Sequence, residues 1–200
     1  MFVQIMTGKP ADAVGLRRQW DEWMAHVAPG AIGWLGATGG VSSQGDAVIV
    51  ARFESEEAAR ANSDRAEQGE WWAETEKYFE GPVEFYESAD VTDFWGGGSD
   101  AAGFVQLMRA TCSNRDRLEE LEGESDALLR EHRPDVLGGL RVWNAPTVVA
   151  VDYFTSEAEA RAGEQREMPD AMKAVWEEWG SLLSDMTWFD ITEPWLAGPG

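Results

Sequence analysis

Two glutamines, Gln4 and Gln106, are the only polar residues in a pair of apolar pentapeptides, Phe2-Val-Gln-Ile-Met6 and Phe104-Val-Gln-Leu-Met108. A carboxamide buried in such a strand without partners costs about 1–3 kcal/mol, so it serves either a bound ligand or a neighbouring backbone group. The two histidines, His26 and His132, each stand shortly before a proline, Pro29 and Pro134. Near the C-terminal end of a helix, a protonated imidazole gains from the dipole and bonds the last carbonyls. As the sole histidines they are also the natural general-base candidates. Neither has a neighbouring ligand at helical spacing, and the single Cys112 completes no Cys/His pattern, so no metal is expected. Among the eleven tryptophans, Trp20, Trp23, Trp71, Trp72, Trp176 and Trp179 recur on helical stripes, where core packing is the default. Trp34 and Trp143 differ: they stand in equivalent strand segments, where flat rings suit an aromatic ligand.

These residues sit at matching places because the chain is one unit written twice. The pentapeptides lie 102 residues apart, Phe53 to Arg60 (FESEEAAR) is echoed by Phe154 to Arg161 (FTSEAEAR) at 101, and Phe85-Tyr-Glu87 by Trp188-Phe-Asp190 at 103. Such small drift leaves only loops to differ between copies, the shortening falling at the turn-like run 39–46. In the first copy a strand at 2–6 precedes a helix whose Leu16, Trp20, Trp23, Met24 and Val27 share one face and which Pro29-Gly30 ends. Strands at 32–41 and 47–53 follow, then a long second helix begun by Ser55, with Glu56 and Glu57 in its first turn, and a last strand over 83–91. The second copy repeats the order, with strands near 104–109, 137–143, 147–154 and 186–192 and a second helix over 157–183 that Ser156 and Glu159 open as a capping box.

The expected fold class is therefore α+β: two tandem ferredoxin-like βαββαβ repeats packing sheet to sheet as a pseudo-dimeric α+β barrel, each sheet covering the other's apolar face. The repeats span 1–92 and 104–193. A Gly-rich linker over 93–103, pinned by Phe94 and Trp95, joins them, and 194–200 is a loose tail with Trp195 as an anchor.

Composition narrows the partners. A formal net charge of −21 with a pI near 4.3 repels nucleic-acid backbones and anionic membrane surfaces. The chain starts directly with FVQIM, which reads as neither a signal peptide nor a membrane span, and the lone cysteine suits the cytoplasm. Three lysines beside thirteen arginines, with abundant Ala and Gly, fit a GC-rich bacterial coding sequence.

The short N-terminal strand, the Pro29-Gly30 pair and the aromatic-x-Ser-x-Glu-Ala-Arg entry to the second helix resemble the dimeric α+β barrel superfamily, and within it the antibiotic-biosynthesis-monooxygenase-like group. The resemblance covers both copies. It implies a pocket between sheet and helices that takes an aromatic or polyphenolic small molecule, with no cofactor, the substrate being ionised by a base and reacting directly with oxygen. It also implies a monomeric pseudo-dimer or weak homo-oligomer. Counting from Phe53, Asn62 and Trp72 fall where relatives place pocket residues, while the second copy offers only Gly163 and Lys173. That departure speaks against haem degradation and favours the first copy. On this reading His26, Asn62 and Trp72 are the catalytic set, and Gln4, Trp34, Gln106 and Trp143 bind substrate. The competing reading is a non-catalytic small-molecule-binding or stress-related barrel whose polar residues are structural.

Overall fold

A computed structural model describes residues 1–198, apart from the side chain of Ala171. The chain divides into two compact units, one of residues 1–91 with 189–200 and one of residues 92–188. Each is a five-stranded antiparallel sheet with helices on one face.

In the first unit β1 (Phe2–Gly8), β2 (Trp34–Val41), β3 (Ala47–Phe53), β4 (Glu84–Ser88) and β10 (Trp195–Ala197) lie in the order β10-β2-β3-β1-β4. The ferredoxin-like order β4-β1-β3-β2 is thus extended by an edge strand from the far end of the chain. β10 pairs Trp195 with Gly39, and the Trp195 ring packs 5.8 Å from Trp20, so the anchor is a strand and the tail is not loose over 195–197. Residues 199 and 200 lie outside the described residues. The second unit mirrors this plan with β5 (Val91–Phe94), β6 (Phe104–Cys112), β7 (Val136–Asn144), β8 (Thr147–Phe154) and β9 (Leu183–Ile191), in the order β5-β7-β8-β6-β9. Part of the expected linker, Asp93 and Phe94, is therefore strand. Trp95 then holds the Gly-rich stretch by donating from Nε1 to Asp126 Oδ1 at 2.6 Å.

Sheet faces follow from period-two alternation. In β1 and β3 the residues Val3, Ile5, Val48 and Val50 are buried on the face away from the helices. Phe2, Gln4, Met6, Ile49, Ala51 and Phe53 take the other side, in the register Phe2↔Phe53, Gln4↔Ala51 and Met6↔Ile49. In the second unit Val105, Leu107, Val149 and Val151 repeat the buried row. These rows are apolar and buried in both units, the large term that holds such strands in place.

Helix α1 (Ala13–Glu22) begins at Asp12, whose carboxylate accepts from Gly15 N, and ends in a wider π turn over Trp23–Val27. The stripe expected from spacing is the buried one: Leu16, Trp20, Trp23 and Val27. Ser55 caps α2 (Glu56–Ser63) by accepting from Ala58 N at 3.2 Å. The single long second helix expected in each copy is two helices. In the first copy α3 (Ala66–Thr75) is separate from α2 because Arg65 takes extended backbone (ψ 137) while its guanidinium donates to Val27 O and Asn62 Oδ1. In the second copy, after α4 (Arg115–His132), Pro169 parts α5 (Glu157–Glu164) from α6 (Asp170–Ser181), since its ring and missing N–H cannot continue a helix. Ser156 caps α5 as expected, accepting from Glu159 N, but the Glu159 carboxylate turns to the hydroxyls of Thr155 and Ser156 instead of closing the box on the backbone. No helix among the described residues is long and apolar enough to cross a membrane.

Candidate functional site

The helix-side face of the first unit's sheet does not meet its helices everywhere. Between them lies a cavity of about 460 Å³. Ala37, Ile49 and Ala51 make its floor, the two alanines standing where larger side chains would reach the helices. Five tryptophans wall it, Trp20 and Trp23 from the first helix, Trp34 from β2, and Trp71 and Trp72 from α3, with Phe53 and Phe85 beside them. Trp23 meets Trp34 edge-on at 5.0 Å, and Trp72 meets Phe85 the same way at 5.6 Å, geometries that aromatic rings favour. Phe85 is 53% exposed, so it stands at the mouth.

Local structure sets these rings. Trp23 still follows the α-helical path, its N–H donating to Gln19 O, and the π turn opens just after it, where Ala28 N donates to Trp23 O; such turns recur at functional sites. Gly33 adopts φ +58, a conformation side-chain-bearing residues avoid, and a Cβ there would lie 2.6 Å from that of Ala58. This glycine lets β2 start against α2 with Trp34 facing the cavity. The Trp34 indole nitrogen is buried without a hydrogen-bond partner, so what Trp34 offers the cavity is its ring and not its N–H.

Polar groups gather in two places. At one, Asn62, only 3% exposed, accepts from Arg65 at 3.0 Å and from Ile32 N at 3.4 Å, and donates to Gln68 Oε1 at 3.4 Å. Gln68 Oε1 also accepts from Trp23 Nε1 at 2.8 Å. At the other, Gln4 Nε2 donates to Glu87 Oε1 at 2.5 Å and Arg60 donates to Glu87 Oε2 at 2.8 Å. Burial alone would raise the Glu87 carboxyl, but hydrogen bonds from Arg60 and Gln4, with the Arg60 charge, outweigh it and hold its pKa below the ordinary carboxylate value. Arg60 and Glu87 are the only charged residues among those lining the cavity.

Of the residues singled out from sequence, Gln4, Trp34, Asn62 and Trp72 lie around this one cavity. His26 does not: it is 75% exposed on the outer surface, its Nε2 3.4 Å from Glu22 Oε2, and cannot serve as base inside the pocket. Gln106 and Trp143 belong to the second unit. Trp143 stands in β7, the counterpart of Trp34's strand β2, but not at Trp34's register. Trp34 pairs with Phe53 at one end of β2, whereas Trp143 pairs with Val148 at the other end of β7, where it is 2% exposed among Met108, Leu118 and Leu183. Trp143 is a core residue. Arg60 and Glu87 went unnoticed because Glu87 meets Gln4 only through strand pairing 83 residues away. The available signal was the alternation of β4, which puts Phe85 and Glu87 on one face.

The second unit carries other residues at the equivalent positions. By register Asp152 replaces Ala51 and Arg141 replaces Gly39, since each pairs as its counterpart does. Arg141, 12% exposed, bridges Asp152 and Glu122 at 2.7 Å each and lies 5.0 Å from the Phe94 ring. Where Asn62 stands in the first unit, Gly163 leaves room for Arg133, which pairs with the buried Asp135 at 2.7 Å. Ion pairs thus stand where the first unit has the cavity-lining Ala51, the Trp20 and Trp195 rings over Gly39, and Asn62.

No protein-family model matches the chain, and no curated protein matches its sequence. Solved structures do match. Two bacterial proteins, each described as a "putative monooxygenase", superpose with a TM-score of 0.75. The one from Lactobacillus acidophilus NCFM is 12% identical, over 100% of this chain and 96% of that one. The one from Fusobacterium nucleatum subsp. nucleatum ATCC 25586 is 8% identical, over 100% and 94%. An anthrone oxidase-like protein superposes with a TM-score of 0.66 at 11% identity, over 99% and 94%. At these identities the likeness is one of fold. The chain carries the tandem ferredoxin-like α+β fold of these monooxygenase-like proteins, as the sequence resemblance implied.

Proposed function

We propose that the first unit binds a flat aromatic or polyphenolic small molecule and that the chain acts on it as a cofactor-independent monooxygenase-like protein. The observation that carries this reading is the cavity of about 460 Å³ walled by five tryptophans, with its polar groups confined to two small clusters. Rings of that kind grip a planar apolar body, and a few polar groups orient it. Gln4 and Asn62 hydrogen-bond the substrate oxygens, and Trp34 and Trp72 stack on its rings. A soluble, cytoplasmic setting belongs to the same reading, resting on the lone Cys112.

The competing reading, a binding protein without chemistry, is favoured by one observation: the histidine expected to act as base faces solvent. Oxygen uptake and tryptophan quenching with a panel of anthrone-type phenols separate the two. Uptake that is lost in Trp72→Ala and kept in His26→Ala supports catalysis in this cavity. Quenching with no uptake leaves a binding protein, and neither signal with any phenol refutes the aromatic pocket.

A further inference from the structure

We propose that Glu87 is the residue by which this pocket selects its ligand: its carboxylate accepts a hydrogen bond from a ligand hydroxyl, so the site takes planar aromatics that carry a free O–H in preference to the same body capped or unsubstituted. The inference rests on the aromatic pocket of the preceding section and adds which polar edge it reads.

Few acceptors in this pocket are open. Gln68 Oε1 already accepts from Trp23 and Asn62, and Asn62 Oδ1 from Arg65 and the Ile32 backbone. The Ser63 hydroxyl donates back to Ala59 O at 3.0 Å. Glu87 is different. An ionised carboxylate offers about four lone-pair positions. Gln4 occupies one on Oε1, and Arg60 occupies one on Oε2 at 2.8 Å, with a longer contact of 3.4 Å to Oε1. A lone-pair position remains on Oε2 of the group that also carries the only negative charge among the described lining residues, and hydrogen bonds to charged acceptors are the strong ones.

Position supports the role. Glu87 lies two residues from Phe85 on the same face of β4, so the carboxylate and the ring at the mouth flank one approach to the Trp72 wall. Its side chain is 26% exposed, neither sealed in the core nor free in solvent. Gln4 and Arg60 fix it from two directions, which keeps the acceptor in place when no ligand is bound. The other open acceptors among the described lining side chains are the Gln4 carbonyl and the oxygen of the Ser63 hydroxyl, both neutral; a variant that removes only the charge of Glu87 tells them apart.

The experiment compares 2-naphthol with 2-methoxynaphthalene, which share a flat body and differ in the O–H, by equilibrium dialysis against the full chain. Wild type is expected to bind 2-naphthol about tenfold or more tightly than the ether. Glu87→Gln should bring that ratio below about threefold while the ether's affinity stays within about twofold. Arg60→Met, which removes a partner of the carboxylate and leaves its charge, should keep the preference. Equal binding of the two probes by wild type overturns the proposal and leaves the aromatic pocket standing, as does an unchanged ratio in Glu87→Gln or a ratio lost in Arg60→Met. Binding of neither probe by wild type overturns the aromatic pocket and this inference with it.

Discussion

Replacing Arg141 by methionine tests the claim that the second unit keeps ion pairs where the first keeps a pocket. Arg141 holds Asp152 and Glu122 at 2.7 Å each, and its side chain is 12% exposed. Burial works against its charge, but the two carboxylates outweigh burial and push its pKa upward, so the pairing is favourable as built. Methionine keeps most of the volume and strands the carboxylates. Removing one partner of a buried pair costs about 3–5 kcal/mol. Because Asp152 and Glu122 retain 23% and 28% exposure, water recovers part of that, and about 2–4 kcal/mol is the expected loss. For a unit of about a hundred residues each kcal/mol moves the midpoint by about 4–8 °C, so the drop should be at least about 8 °C. Hydrogen exchange locates it: amides of β6, β7 and β8 lose protection, and those of β1 and β3 keep theirs. The double variant Arg141→Met/Asp152→Leu should recover about half of the loss, because it removes one of the two stranded charges and leaves Glu122. A single variant within about 1 kcal/mol of wild type, or a double variant as unstable as the single, would refute the reasoning.

Ser55→Ala should cost about 1 kcal/mol, since it leaves Ala58 N without the cap that starts α2; the measurement is the denaturant midpoint at unchanged slope. Glu87 also makes stability depend on pH. Its folded pKa lies below the ordinary value of 4.5, so its contribution is present above that value and is lost as pH falls through the folded pKa. Between pH 5 and pH 3, Glu87→Gln should therefore lose less stability than wild type, and parallel curves would show that the Gln4 and Arg60 bonds contribute nothing.

Some of this protein was legible in the chain alone, where local physics decides. Strand alternation, helical stripes and serine caps are written in runs of a few residues, so the repeat, β3 and both Ser caps follow from spacing and Gln4 stands out by type, whereas Asn62 and Trp72 follow only from the family resemblance. Even the break between α5 and α6 was legible in Pro169. The rest depends on groups far apart in sequence. The break between α2 and α3 has no proline or glycine behind it; it comes from Arg65 reaching Val27 O, 38 residues away. Strands β5 and β10 are too short to signal themselves and exist because the edges of β7 and β2 offer partners. Tryptophans of one residue type part company, Trp34 to a cavity and Trp143 to a core, because register and not composition sets what each ring meets. Gln4, Arg60 and Glu87 become one cluster only when β4 pairs with β1 and α2 packs above them, and sequence patterns of short range cannot carry a meeting made by tertiary pairing.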